Sequence, residues 1–176
     1  MPRPPTTRPL TGESTDSRCG GHMDAISLLK SDHDKVKKLL AELERTTDRG
    51  VKTRSELFAT IKGEMIVHET IEEEIFYPEL KSHPRAKDIV LEGFEEHHVV
   101  DLLMGELESM DVDDESWGAK AIVMKENIEH HIEEEEGEMF RTARNVFDRD
   151  ELEDLGARML ERKRRAQAEI GVPVSA

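Results

Sequence analysis

Cysteine is nearly missing from this chain of 176 residues: Cys19 stands alone, which excludes an internal disulfide framework and a thiolate cluster for zinc or iron–sulfur chemistry. That usage agrees with a reducing compartment. Long apolar runs are missing as well, since no stretch approaches the roughly 18 consecutive apolar residues of a membrane span and the N-terminus lacks the apolar stretch of a signal peptide. The expectation is a cytoplasmic protein with no membrane partner. Basic residues are in short supply, 25 Lys and Arg against 40 Asp and Glu, and the formal charge of −15 removes the long-range attraction that nucleic-acid phosphates would need. A nucleic-acid partner is therefore not expected. One basic cluster, Arg158, Arg162, Lys163, Arg164 and Arg165, reads as a solvated helix face.

What is present points to helices. Hydrophobic residues make up 36% of the chain and charged residues 37%, the balance of amphipathic helices with solvated outer faces rather than of a strand-rich fold. Residues 1–22 hold four of the seven prolines, several Ser and Thr, and Gly20-Gly21, and read as a disordered N-terminal arm. From Asp24, a cap residue, the stripe Ile26, Leu29, His33, Val36, Leu40, Leu43 predicts a helix that stops near Gly50. A second stripe, Leu57, Ile61, Met65, His68, Glu72, Ile75, predicts a helix fraying after Pro78 toward His83-Pro84. A third, about residues 86–110, carries Val90, Phe94, His97, Met104 and Leu107, with the Asp-rich stretch 111–114 as a turn. A fourth, about 115–144, carries Trp117, Ala121, Met124, Ile128, His131, Glu135 and Met139. Short connections between four such helices predict an all-α, antiparallel up-down-up-down four-helix bundle over residues 23–145. Residues 146–176 add a C-terminal helix, from about Asp150 to Ala168, and a tail that should pack outside it.

The apolar stripes contain the wrong residues in six places. His33, His68, Glu72, His97, His131 and Glu135 occupy slots where Leu or Ile would ordinarily sit, and two of them repeat one short pattern: His68 and His131 each lie four residues before a glutamate and nine before an aromatic. A buried carboxylate costs several kcal/mol or more unless its charge is compensated, and no Lys or Arg lies in register on these faces. Bound cations are the simplest compensation. Register also selects between neighbours, preferring His131 to His130 and His97 to His98. Four imidazoles and two carboxylates able to bridge suit two ions of iron, manganese or zinc. The remaining glutamates of the Glu133–Glu138 string, together with Glu69, Glu73 and Glu74, read as solvated faces, and the methionines as core.

In order and spacing these six residues, with the Asp-His-Asp around His33, the Tyr77-Pro78 ending of the first repeat and the Glu-Glu-His-His around His97, resemble the hemerythrin-like, or HHE cation-binding, family. The resemblance implies a bundle holding two iron ions as a non-haem di-iron centre, oxo- or hydroxo-bridged, with Glu72 and Glu135 between the irons and His33, His68, His97 and His131 as the remaining ligands. Oxygen-carrying members have a fifth histidine where this chain has Asp101, and Asp where Glu135 stands. One iron should thus be poorer in nitrogen, with water, Asp101 or Tyr77 to support it or supply an extra ligand. The expected partners are dioxygen, peroxide or nitric oxide, handled with catalase-like peroxide turnover in oxidative or nitrosative stress; the alternatives are a reversible carrier or sensor, or an iron-binding store. Monomer or weak homo-dimer is the expected assembly. A ferritin-type site is disfavoured because Glu-x-x-His occurs once among these stretches, at Glu95 and His98, and His-Glu-x-x-His of the zinc proteases is absent.

Overall fold

The structure, a computed structural model, describes residues 23–47 and 49–171; the arm expected over residues 1–22, with Cys19, lies outside the described residues. Among those described there is no strand, and no helix is long and apolar enough to cross a membrane. Four long helical rods form the bundle: α1 (Ala25–Glu44); α2 (Val51–Ile71), continued through a π-helical turn (Glu72–Phe76) into α3 (Tyr77–Lys81); α4 (Lys87–Ser109); and α5 (Glu115–Glu134), continued through a second π-helical turn (Glu135–Met139) into α6 (Phe140–Val146). A fifth helix, α7 (Arg149–Ile170), lies outside against α1, α2 and the first π turn.

Local chemistry fixes several of the helix ends. Asp24 accepts a hydrogen bond from Ser27 N at 2.9 Å, Asp114 caps α5 through Ser116 N at 2.8 Å, and Asp148 with Glu151 forms a reciprocal capping box. Gly171, with φ of +71°, ends α7 in the left-handed conformation that glycine adopts without strain. Two ends differ from the sequence expectation. α1 stops at Glu44 rather than near Gly50, because Thr46 turns its hydroxyl back onto the Leu43 carbonyl at 2.6 Å and breaks the ladder; Gly50 then precedes α2 instead of closing α1. The second rod runs through Pro78 to Lys81, since the π turn before it has already shifted the ladder and the proline falls in the first turn of α3.

The core is divided. One apolar cluster gathers Ile26, Leu29, Ile71, Phe76, Leu80, Val90 and Phe140 with Leu155 and Met159 of α7, and the other gathers Val36, Leu40, Ile61, Met65, Met104, Trp117, Met124 and Ile128. On α1, Leu29 belongs to the first and Val36 to the second, with buried His33 between them. A polar layer therefore crosses the bundle where the two clusters meet.

α7 is drawn close. A Cβ at Gly156 would come 2.2 Å from the Met23 carbonyl oxygen, so only glycine lets this helix pack on the start of the bundle. Its basic residues are a solvated face only in part: Arg158, Arg164 and Arg165 are exposed, but Arg158 pairs with Glu79 at 2.8 Å, partly buried Arg162 grips Glu74 of the first π turn with two nitrogens at 2.6 and 2.9 Å, and partly buried Lys163 bonds Asp32 of α1. Arg164 and Arg165 alone of the cluster are exposed without such an anchor on another helix.

Candidate metal centre

The polar layer is made by two halves of similar design. α1 and α2 supply His33, His68 and Glu72; the same residue types recur 63 or 64 positions later as His97, His131 and Glu135 on α4 and α5. In an uninterrupted α-helix a residue nine positions on would face about 180° away, so His68 could not share a side with Tyr77, nor His131 with Phe140. The π turn begins at each glutamate and inserts about one residue, which swings the aromatic back toward the layer. Phe140 stacks on His33 (centroids 5.8 Å, planes 2° apart) and Tyr77 stacks on His97 (5.3 Å, 17°), each aromatic covering the single histidine of the other half.

All six sequence-selected residues converge and are at most 2% exposed. The Nε2 atoms of His33 and His68 lie 3.2 Å apart, and those of His97 and His131 3.1 Å apart. Each carboxylate lies between the two pairs: Glu72 Oε2 is 3.2 Å from His68 and 3.4 Å from His97, and Glu135 Oε2 is 3.1 Å from His33 and 3.6 Å from His131. Two donor groups result, His33, His68, Glu72 and Glu135 in one and Glu72, His97 and His131 in the other. By contrast His130 is 63% exposed on its side chain and sits with Glu96 and Glu134 at the surface.

The donor set fits cations. Both oxygens of Glu72 and Oε2 of Glu135 are buried without a hydrogen-bond partner, a costly state for carboxylates that metal bonds would relieve. Imidazole Nε2 atoms facing one another leave lone pairs aimed into one space, with no thiolate nearby, the chemistry of a nitrogen and oxygen site for first-row metals. Charge is divided unevenly between the two glutamates. Burial and the charge of Glu135 push the Glu72 carboxyl well above the usual carboxylate range. Burial opposes ionisation of Glu135 too, but His131 and His33 outweigh it and hold that group well below its ordinary value. Burial likewise takes His68 down to about 4 despite the pull of Asp32, whereas His97, although burial disfavours its charge, is raised to about 11 by Glu72, Glu73 and Glu69.

Tyr77 breaks the symmetry of the halves. Its hydroxyl donates to Glu135 Oε1 at 2.9 Å and lies 3.4 Å from His97 Nε2, where Phe140 offers only carbon in the other half. Burial and the charges of Glu135 and Glu72 raise its phenol well above 10, so it stays protonated. Asp101 does not join the layer. It is exposed on α4 and belongs to neither buried donor group; its neighbour is Glu69, which burial, with added repulsion from Asp101 and Glu73 and against the pull of His97, raises to about 8.

Carboxylates stand behind the imidazoles where helical spacing did not place them. His33 Nδ1 donates to Glu136 at 3.1 Å, His97 Nδ1 to Glu73 at 2.9 Å and His131 Nδ1 to Glu96 at 2.8 Å, while His68 Nδ1 has Asp32 at 3.7 Å. Such partners fix the ring and leave Nε2 free to bind metal. Glu73 and Glu136, taken from the sequence as solvated, thus serve the centre, and Glu69 is buried rather than solvated. A signal was available: each outer carboxylate is the neighbour in sequence of one of the six layer residues, Asp32 before His33, Glu96 before His97, Glu73 after Glu72 and Glu136 after Glu135.

Comparisons with known proteins agree with this geometry. The family model described as hemerythrin HHE cation binding domain matches residues 24–143. A solved hemerythrin HHE cation-binding domain-containing protein from Mycobacterium kansasii is 24% identical, covers 83% of this chain and 88% of its own, and superposes with a TM-score of 0.73, which establishes the shared fold. A curated protein from Nostoc sp. described as a DNA nickase is 22% identical over 149 residues, 85% of this chain but 42% of the relative, so the chain spans less than half the length of that relative.

Proposed function

The chain belongs to the hemerythrin HHE cation-binding domain family, and from that premise we propose that the buried layer holds two iron ions and receives dioxygen, peroxide or nitric oxide, turning peroxide over in a catalase-like way. One observation carries the reading: four inward Nε2 atoms with two carboxylates that each lie between both histidine pairs, three of whose oxygens have no other partner. His33, His68, His97 and His131 would hold the metals and Glu72 and Glu135 would span them. Bound iron would supply Lewis-acid and electron-transfer chemistry that no side chain here can provide.

The side chains around it have their own tasks. Phe76, Tyr77 and Phe140, all fully buried, exclude bulk water from one side of the layer. Tyr77 keeps a proton at Oη and aims it at Glu135, placing a donor within the layer on the His97 side. Glu135 Oε2 lies 3.6 Å from His131 against 3.1 Å from His33, so this carboxylate approaches the His97 and His131 side less closely and leaves more room there for an outside ligand. Reaction with peroxide is favoured over protected carriage because the second half of the layer is lined by a phenol and carboxylates rather than by carbon alone. The nicking of DNA named for the Nostoc relative is disfavoured for this chain, because a charge of −15 opposes approach to a phosphate backbone.

Metal content, the visible spectrum and peroxide-driven oxygen evolution of iron-loaded protein test the reading together. Two irons per chain, charge-transfer bands and evolution well above free iron are expected. Two irons with reversible oxygen spectra and no turnover would assign carriage instead, and stoichiometric zinc after growth in abundant iron would refute the di-iron centre.

A further inference from the structure

The four carboxylates behind the imidazoles are not equally free to serve them. Glu73 and Glu96, behind His97 and His131, pair with no Lys or Arg among the described residues, so no side-chain ammonium or guanidinium competes with the rings they hold. Behind the other pair the carboxylates are claimed by ammonium groups. Glu136 accepts from Lys37 at 2.9 Å and has Lys30 at 3.6 Å, yet it keeps its 3.1 Å bond to His33. Asp32 fares differently: Oδ1 is bound by Lys163, and Oδ2 stops 3.7 Å from His68 Nδ1, beyond hydrogen-bond reach. Both Asp32 Oδ2 and His68 Nδ1 are buried without a hydrogen-bond partner, in the one place among the four where the ring and its carboxylate fail to close.

The competing cation comes from outside the bundle. Lys163 lies on α7, beyond the residues 24–143 that the family model matches, and its side chain is 14% exposed against 8% for Asp32, so the pair is shielded from water and interacts more strongly than a surface pair would. Arg162, its neighbour, fixes α7 to the first π turn through Glu74 and holds the lysine in place. The ammonium acts on the centre in two ways of the same sign: it places positive charge behind His68, and it withholds the carboxylate that would make that imidazole a stronger donor.

We propose that Lys163 is a positioning residue that holds Asp32 off His68 and thereby lowers the affinity of the His33 and His68 position for its cation, leaving the His97 and His131 position unaffected. The proposal rests on the reading of the layer as a two-cation centre and does not depend on the metal being iron. It reverses the ordinary expectation for a partly buried ion pair beside a metal site, because loss of a purely structural contact would weaken binding, whereas loss of this lysine tightens it.

Cobalt(II) is the probe, added to metal-stripped full-length protein and followed by visible absorption and calorimetry. Wild type takes up two ions; Lys163→Met should bind one of them about tenfold more tightly, a magnitude typical of groups behind a ligand, with the other unchanged within about twofold. Lys163→Arg keeps the charge and should behave as wild type. In the cobalt protein the shifted Nδ1 proton of His68 should exchange with solvent more slowly in Lys163→Met, since Asp32 closes on it. Lys163→Gln serves if the methionine protein does not fold. Equal or weaker affinity in the neutral variants, or arginine behaving like methionine, overturns the proposal while two bound ions leave the centre standing. Failure of wild type to bind cobalt overturns both.

Discussion

Replacing Glu72 with methionine should make the metal-free protein more stable and remove most of what metal adds. Glu72 is 0% exposed and both of its oxygens lack a hydrogen-bond partner, although His68 and His97 stand 3.2 and 3.4 Å away. An unsatisfied buried polar group costs about 1–3 kcal/mol, and replacing buried ionisable groups with packed apolar ones has a similar sign, so the gain should be on the order of 2–4 kcal/mol. For a chain of this size that corresponds to about 4–16 °C in Tm. The pH dependence has a definite sign. The folded-state pKa of Glu72 lies well above its ordinary 4.5, so the native state keeps a proton that the unfolded chain releases, and the wild-type penalty grows as pH rises above 4.5. The advantage of Glu72→Met should accordingly be larger at pH 7.5 than at pH 5. Circular dichroism melts of chelator-treated and metal-saturated samples provide the measurement. Wild type at hundredfold excess of metal over its Kd should gain about 2.7 kcal/mol from one site, and the variant should lose that response at one position or both. The reasoning fails if metal-free Glu72→Met melts below metal-free wild type, or if metal stabilises the two equally.

Two further outcomes follow from the same layer. Glu69, held at about 8 by burial and by Asp101 and Glu73, is protonated in the native state between pH 4.5 and 8 while the unfolded chain is not, so stability of the metal-free protein should fall across that window. Urea midpoints at pH 5 and pH 8 should differ less in Glu69→Gln than in wild type, and an unchanged difference would count against the assignment. Gly93→Ala places a Cβ 2.8 Å from Tyr77 Oη and 3.2 Å from Met139 Cε, so it should cost about 1–3 kcal/mol and push the phenol off Glu135. Tyr77 is the only tyrosine, so its ultraviolet band reports the change directly, and a wild-type band at wild-type stability would show that the phenol has room to spare.

The helices and the six inward polar residues were legible because both depend on local spacing. A stripe with period near 3.6 put His33, His68, Glu72, His97, His131 and Glu135 on inward faces, and all six are buried. The same rule separated buried His131 from exposed His130. It failed for Glu73 and Glu136, which sit one residue round from Glu72 and Glu135 and look solvated on a helical wheel; each crosses to the single histidine of the other half. The family resemblance, not the spacing, suggested Asp101 as a supporting group or extra ligand, and its side chain is exposed beside Glu69. The π turns were also hidden, because each adds its extra residue through backbone hydrogen bonds that no residue type announces.

The sequence by itself determined which helices form, which faces turn inward and which six groups meet in the core, since those follow from periodicity and from the cost of burying an uncompensated carboxylate. Only the tertiary structure decided how the two halves differ. Tyr77 and Phe140 hold equivalent places, yet one offers a hydroxyl to Glu135; Asp32 and Glu96 hold equivalent places, yet Lys163 arrives from a helix 131 positions away and claims one of them. Contacts made across such distances depend on how α7 seats against the bundle, and that is set by packing between elements rather than by the pattern within any of them.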